Sequence, residues 1–328
     1  MGSEDRMGDR VAAVVVTFNR LDKLRATLAR LLDEPAAMLA HVVVVDNAST
    51  DGTGDWLAAQ DDPRLTVLPL AANVGGAGGF EAGMRHARDT LDPDWVLVMD
   101  DDARPAPGCM ARFHAEPRDG FDAWAAAVRY PAGGICEMNR PWVNPFWHRD
   151  AMGRTALSGR RGFHIADAAY EAEAPTPIDG GSFVGFFFSR HAIALAGLPD
   201  PRLFIYGDDV LYTLRLSELG GRVAFDPRLG FEHDCATFEG ADRLFQPPWK
   251  AYYAYRNSLI FYRRAAGRAF WAVLPLVLGK WLWQARRAPA PRRHLALSAR
   301  AVRDGLHVRL DVPHSRVMAW AEGRAITR

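Results

Sequence analysis

Between Val11 and Arg104 the chain repeats one pattern: a short apolar run, a polar loop, then apolar residues at helical spacing. Val11 to Thr17 (VAAVVVT) closes at Phe18-Asn19-Arg20 and is followed by Leu21, Leu24, Leu28, Leu31 and Leu32. His41 to Val45 ends in the polar turn Asp46 to Gly52, which caps a helix carrying Trp56 and Leu57. Leu65 to Leu68 leads into Asn73-Val74-Gly75-Gly76-Ala77-Gly78-Gly79-Phe80 and a helix from about Glu81 to Thr90, and Trp95 to Met99 is the next apolar run. Runs of β-branched residues this continuous belong to strands buried on both faces, and strands alternating with helices build a parallel sheet with right-handed crossovers. The pattern restricts this part of the chain to something like the nucleotide-binding half of a doubly wound fold.

The last of these runs stops in three consecutive carboxylates, Asp100, Asp101 and Asp102. Adjacent acidic side chains repel and need water or a cation. One reading is a solvated acidic turn. The other uses their place at the C-terminal edge of a strand, where open α/β sheets bind ligands and carboxylate oxygens suit Mg2+ or Mn2+. The glycines from Gly75 to Gly79 have two readings as well, close approach to a phosphate at a helix N-terminus or a tight packing turn. GxGxxG spacing is absent, so the nucleotide reading of GGAGG by itself is weak.

The chain of 328 residues is long enough for one elaborated α/β domain or two domains. Its 40 basic and 39 acidic residues exclude a general nucleic-acid binder. The balance hides an asymmetry. Residues 263–328 hold 14 Lys plus Arg and 3 Asp plus Glu, a net of +11, leaving 26 against 36, or −10, for the rest. A basic segment joined to an acidic body is expected where one end meets anionic headgroups or phosphates. Cys109, Cys136 and Cys235 are few, odd in number and far apart in sequence, which argues against a disulfide framework or a thiolate metal site and fits a reducing cytoplasm. No signal segment opens the chain, and residues 1–10 read as a polar leader.

After Pro105 the pattern loosens. Tyr130 to Pro177 is irregular and carries Trp142, Phe146 and Trp147, then the basic stretch Arg149 to Arg161. Exposed aromatics would suit a sugar face, and a loop tucking its own aromatics into the core is the competing reading. Asp179 to Phe188, beginning Asp179-Gly180-Gly181-Ser182, reads as a strand leaving a flexible turn. Leu203 to Asp209 (LFIYGDD) puts Asp208 and Asp209 at a helix N-terminus, where helix capping alone would favour acids. Arg222 to Phe225 is strand-like, Asp226-Pro227 is a turn, and His233 follows in FEHD. Phe270 to Trp283 (FWAVLPLVLGKWLW) is interrupted by Pro275, Gly279 and Lys280 and falls short of the ~20 residues of a spanning helix. With Arg263, Arg264 and Arg268 before it and Arg286, Arg287, Arg292 and Arg293 after it, it fits a helix lying in a headgroup plane, a core helix, or a subunit contact giving a homo-oligomer.

The runs VVVTFNR, VVVVDNASTDGT, NVGGAGGF, VMDDDA, LFIYGDDVLYTLRL, FEHD and YYAYRNSLIFY, in this order, resemble inverting family 2 glycosyltransferases of the GT-A fold. Within that family they look most like bacterial galactofuranosyltransferases and their rhamnosyltransferase relatives. The resemblance implies an α/β, Rossmann-like mixed sheet over 11–262, with 11–105 holding the nucleotide sugar and 106–262 the acceptor, and a helical C-terminal region over 263–328. It implies that Thr17, Arg20, Asp46, Asn47, Asn73, Gly75, Gly76, Asp100 and Asp101 contact the donor, and that Asp102, His233 and Asp100 hold Mn2+ or Mg2+. It implies as well that Asp209 takes the catalytic base position and that Gly181, Ser182, Asp208 and Trp142 face the acceptor.

The expected function is inverting transfer of a hexose, galactofuranose from UDP-galactofuranose first, to a glycan or polyprenyl-linked glycan acceptor in cell-surface polysaccharide synthesis. The expected setting is peripheral, at the inner face of the cell membrane. The alternatives are dTDP-rhamnose as donor and, in another class, a non-catalytic nucleotide-sugar-binding scaffold.

Overall fold

The computed structural model describes residues 9–118, 120–235 and 245–323, without the side chain of Arg160. Most of the expected polar leader thus lies outside the described residues. The described residues form two compact units, one drawn from residues 1–201 and 212–236, the other from residues 202–211 and 237–328.

The first unit is built on strands β1 (Val11–Thr17), β2 (His41–Asp46), β3 (Leu65–Pro69), β4 (Trp95–Asp100), β5 (Ala103–Pro105), β6 (Ala123–Arg129), β7 (Thr176–Ile178), β8 (Phe186–Ser189) and β9 (Val223–His233). They make one mixed sheet in the order β3-β2-β1-β4-β8-β6-β9-β5, with β7 pairing β9. The β3-β2-β1-β4 part is parallel, β8 runs antiparallel to β4 and β6, and β9 runs parallel to β6. Alternate residues serve opposite faces. Val11, Ala13, Val15, Leu97 and Met99 enter one buried cluster, while Val14, Val16, Val96 and Val98 enter the other. Burial on both faces is why the sequence writes these strands as unbroken apolar runs.

Helices α1 (Leu21–Asp33), α2 (Thr53–Ala58) and α3 (Gly75–His86) follow β1, β2 and β3. The third begins at the glycine cluster itself, earlier than expected, and ends in a π-helical turn over Ala87–Leu91. Its glycines are contact points. A Cβ on Gly79 would lie 2.4 Å from a methyl of Val16, and one on Gly83 would lie 2.3 Å from a methyl of Val14. Close approach of α3 to β1 outweighs the low helix propensity of glycine here.

Later come α4 (Cys109–Ala115), α5 (Arg149–Ser158), α6 (Asp167–Tyr170), α7 (Arg190–Ala196) and α8 (Asp208–Glu218), and the division between the units falls within α8. The strand expected over Asp179 to Phe188 is confined to β8, and the expected Asp226-Pro227 turn lies inside β9. There the register against β6 skips from Ala126 opposite Asp226 to Ala127 opposite Gly230. This bulge absorbs Pro227 and buries Asp226 completely, where Arg118 Nη1 meets it at 2.8 Å and Arg228 Nε at 3.0 Å.

The second unit contains α9 (Trp249–Ala266), α10 (Phe270–Arg286), α11 (Pro291–Leu306) and α12 (His314–Glu322). Along α10, Phe270, Trp281 and Ala285 are buried, whereas Trp271, Leu276, Leu282 and Trp283 are exposed. Among the described residues no helix is long and apolar enough to cross a membrane.

Candidate active site

The C-terminal ends of β1, β4 and β9 bring the acidic triplet together with His233. Asp100, Asp102 and His233 each offer a ligand atom, and these atoms lie within 4.8 Å of one another. His233 Nε2 is 3.0 Å from Asp102 Oδ1. Arg20 Nη1 donates to Asp102 Oδ2 at 2.6 Å and to Asp101 Oδ1 at 3.2 Å. Burial and the neighbouring Asp102 push the Asp100 carboxyl up to about 7. Burial likewise raises Asp101, to about 6, against the pull of Arg20 and the Thr17 hydroxyl. Burial also opposes ionisation of Asp102, but its bonds to His233 and Arg20 hold it below the usual carboxylate range.

Asp101 shares Arg20 with Asp102 and is otherwise tied to β1 and α1. It accepts from Thr17 Oγ1 at 2.8 Å, and its backbone carbonyl accepts from Thr27 Oγ1 at 2.8 Å. Thr17, expected among the donor contacts, is buried and commits its hydroxyl to this contact. Pairing of Val16 with Asp100 across β1 and β4 explains the meeting, since Thr17 then faces the residues that follow.

The imidazole is fixed from behind. Asn139 Nδ2 donates to Ser182 Oγ at 2.8 Å, which turns Asn139 Oδ1 toward His233 Nδ1 at 2.7 Å. Nδ1 therefore carries a hydrogen, and a neutral ring would set a bare Nε2 lone pair against the Asp102 carboxylate. A second proton resolves this. Although burial works against it, the bond to Asp102 raises His233 to about 12. Asp100, Asp102 and His233 thus offer two carboxylate oxygens and one imidazole nitrogen within 4.8 Å of one another, a donor set that fits a hard divalent ion.

Asp46 and Asn47 close β2. Asp46 Oδ1 accepts from Ser49 N at 3.0 Å. Asn47 Nδ2 donates to Asn73 Oδ1 at 3.1 Å and to Gly75 O at 3.0 Å, while its Oδ1 accepts from Val74 N at 2.9 Å. The pair of asparagines thus ties the start of α3 to the sheet edge. Gly75 has φ +75°, and a Cβ on Gly76 would meet nothing within 4 Å, so within the glycine cluster the backbone at Gly76 is open to a ligand.

Trp142, expected to face an acceptor, is buried, and a Cβ on Gly180 would come within 2.3 Å of its ring. The loop spends this aromatic on its own packing, which leaves Trp147 as the exposed tryptophan of the stretch. Gly181 is buried, and Ser182 reaches the imidazole through Asn139.

Asp208 and Asp209 open α8 in the second unit, and Asp209 Oδ1 accepts from Val210 N at 2.7 Å. The segment before them is strained and braced. Phe204 and Tyr206 hold φ of +68° and +63°. Asn257 Nδ2 donates to the carbonyls of Ile205 at 3.0 Å and Tyr206 at 2.6 Å, and buried Arg256 donates to that of Leu203 at 3.0 Å. Positive φ at large residues is costly, and the buried side chains of Arg256 and Asn257 hold the segment in that shape.

Sequence reasoning missed Asn139, which sits in an irregular segment with no periodicity to announce it. It also gave no sign that two of the cysteines, far apart in sequence, come together. Cys136 and Cys235 are free thiols whose sulfurs lie 3.9 Å apart, because parallel pairing of β6 with β9 brings their C-terminal ends side by side.

Residues 12–169 match the sequence model of Glycosyl transferase family 2. The galactofuranosyltransferase GlfT1 of Mycobacterium tuberculosis is 31% identical over 263 residues, 76% of this chain and 81% of that protein. The undecaprenyl-phosphate mannosyltransferase of Micrococcus luteus is 30% identical over 227 residues, 66% of this chain and 82% of the other. The structure of GalNAc-T7 with UDP, GalNAc and Mn2+ superposes with a TM-score of 0.58 at 14% identity, covering 83% of this chain and 51% of that one, a likeness of fold alone.

Proposed function

Because the chain belongs to glycosyl transferase family 2 and is a hexosyltransferase of GT-A fold, we propose that it moves galactofuranose from UDP-galactofuranose to a glycan or polyprenyl-linked glycan. Family membership leaves the scaffold alternative without support. The observation that carries the reading is the convergence of Asp100, Asp102 and His233 beside Arg20, together with likeness to GlfT1 over 81% of its length.

In this reading Asp100, Asp102 and His233 hold Mn2+ or Mg2+, which supplies charge neutralisation for a departing nucleoside diphosphate. Arg20 offsets part of the carboxylate repulsion and keeps Asp102 ionised. Asn139 holds the imidazole so that Nε2 faces the carboxylates. Asp46 and Asn47 present the end of β2 to the nucleoside, and Asn73, Gly75 and Gly76 line the approach to the diphosphate. Asp209 accepts the proton of the acceptor hydroxyl as that oxygen attacks the anomeric carbon from the face opposite the diphosphate, which inverts the configuration. The braced 203–207 segment fixes the position of Asp209.

The exposed Trp271, Leu276, Leu282 and Trp283 on α10, with Arg286 and Arg287 at its end, support peripheral binding to an anionic membrane surface. The test is release of nucleoside diphosphate from UDP-galactofuranose, UDP-galactose, dTDP-rhamnose and GDP-mannose with Mn2+ and a short galactofuranoside acceptor. Preference for UDP-galactofuranose with a product of inverted anomeric configuration supports the reading. Preference for dTDP-rhamnose or GDP-mannose transfers it to the corresponding relatives.

A further inference from the structure

His233 has two chemically different sides. Its Nε2 faces the carboxylates, while its Nδ1 faces Asn139 Oδ1 at 2.7 Å and Cys136 Sγ at 3.8 Å. Cys136 follows the turn after β6, where its N–H returns to Val128 O at 3.0 Å, and Cys235 lies two residues beyond His233, the end of β9. The sulfurs are 3.9 Å apart, and both sulfurs and a ring nitrogen fall within 4.8 Å of one another. A tetrahedral zinc with Zn–S of about 2.3 Å and Zn–N of 2.0–2.1 Å needs sulfurs ~3.8 Å apart and ~3.5 Å from the nitrogen. The observed spacings meet that need with shifts of a few tenths of an ångström for the pairs at 3.8 and 3.9 Å. Met138 Sδ lies 3.3 Å from Cys235 Sγ, so the surroundings are soft as well. Cys136 and His233 are buried and Cys235 is partly exposed, which gives an ion a way in.

We propose that Cys136, Cys235 and Nδ1 of His233 form a second cation site, selective for Zn2+ over Mg2+ and Mn2+, whose filling withdraws His233 from the carboxylate side. Thiolates select the softer metal. The withdrawal follows from the two ring tautomers. With Nδ1–H given to Asn139, Nε2 is free to ligate a hard cation. With zinc on Nδ1, the ring hydrogen moves to Nε2 and is given to Asp102 at 3.0 Å, the carboxylate–histidine–zinc arrangement, and one neutral ring serves one ion at a time. Binding stands on the thiol geometry. The antagonism rests in addition on the reading of Asp100, Asp102 and His233 as the hard-cation site.

The test uses the full-length protein, reduced and freed of metal. Added Co2+ produces a thiolate-to-cobalt charge-transfer band at one equivalent in the wild type, and Zn2+ bleaches it. Cys136→Ser and Cys235→Ser each remove the band and weaken zinc binding by at least about an order of magnitude, since loss of an outer-shell partner alone costs 10–100-fold. Cys109→Ala changes neither. Bound Mn2+, followed by electron paramagnetic resonance, is released by equimolar Zn2+ from the wild type, and from the Cys136→Ser,Cys235→Ser double variant only at ~10-fold higher zinc. Absence of the band in the wild type, or zinc affinity in both serine variants equal to that of the wild type, overturns the site. Simultaneous retention of Mn2+ and Zn2+ by the wild type overturns the antagonism. If Mn2+ binds neither protein, the carboxylate reading fails, and the cobalt band still decides the zinc site.

Discussion

Asn139→Ala probes how the imidazole is held. Asn139 is 4% exposed and joins three partners: it accepts from His233 Nδ1 at 2.7 Å and Cys136 Sγ at 3.0 Å, and donates to Ser182 Oγ at 2.8 Å. Alanine leaves the buried Nδ1–H without its acceptor, which costs about 1–3 kcal/mol of stability. It also frees the ring to turn, and loss of an outer-shell partner weakens ion affinity 10–100-fold, about 1.4–2.7 kcal/mol. The two effects separate experimentally. Chemical denaturation without metal reads the first, and Mn2+ titration of the folded variant, followed by water proton relaxation, reads the second. Asn139→Asp keeps the acceptor and is expected to recover most of the Mn2+ affinity. A folded Asn139→Ala variant that binds Mn2+ within about twofold of wild type would refute the reasoning, because the asparagine would then be filling space without orienting the ligand.

Asp209→Asn keeps the shape of the helix start but cannot accept a proton, so turnover falls by about two to four powers of ten with UDP affinity nearly unchanged, read by single-turnover kinetics and calorimetry. Protons compete with the divalent ion. Burial and Asp102 raise Asp100 to about 7, and its bond to Asp102 raises His233 to about 12 against burial, so in the ion-free protein both favour the folded state at low pH and lose that contribution as pH rises. Mn2+ affinity therefore increases with pH, with a logarithmic slope of about two below pH 7 and about one above it, and a flat profile from pH 5.5 to 8 would contradict the assignment. Arg286, Arg287, Arg292 and Arg293 changed together to Glu abolish salt-sensitive flotation with anionic vesicles, since each basic residue near such a surface contributes about 1 kcal/mol, while activity on a short soluble acceptor persists. A wild type that ignores those vesicles at low salt would redirect the basic segment to subunit contact.

The sheet was legible wherever burial on both faces forces continuous β-branched runs, as in β1, β2 and β4. The position of the acidic triplet followed, because a charged triplet cannot continue such a strand. Contacts made by single polar residues were not legible. Nothing near Thr17 announces that its hydroxyl serves Asp101 at 2.8 Å, a pairing that depends on the β1–β4 register. Cys136 and Cys235 meet only because β6 and β9 run parallel, which local periodicity cannot encode. The reverse held for Gly79 and Gly83, whose helix-weakening residue type hides a packing requirement against Val16 and Val14. Trp142 illustrates a tie that only packing resolves, since an aromatic in an irregular loop suits a sugar or a core equally well.

The most direct test of the central claim is calorimetric titration of UDP with and without Mn2+ into the wild type, Asp102→Ala and His233→Ala. If these side chains hold a divalent ion against the diphosphate, Mn2+ strengthens UDP binding to the wild type by at least about tenfold, and that gain disappears in both variants while ion-free UDP affinity stays the same. An undiminished Mn2+ effect in both variants would contradict the account.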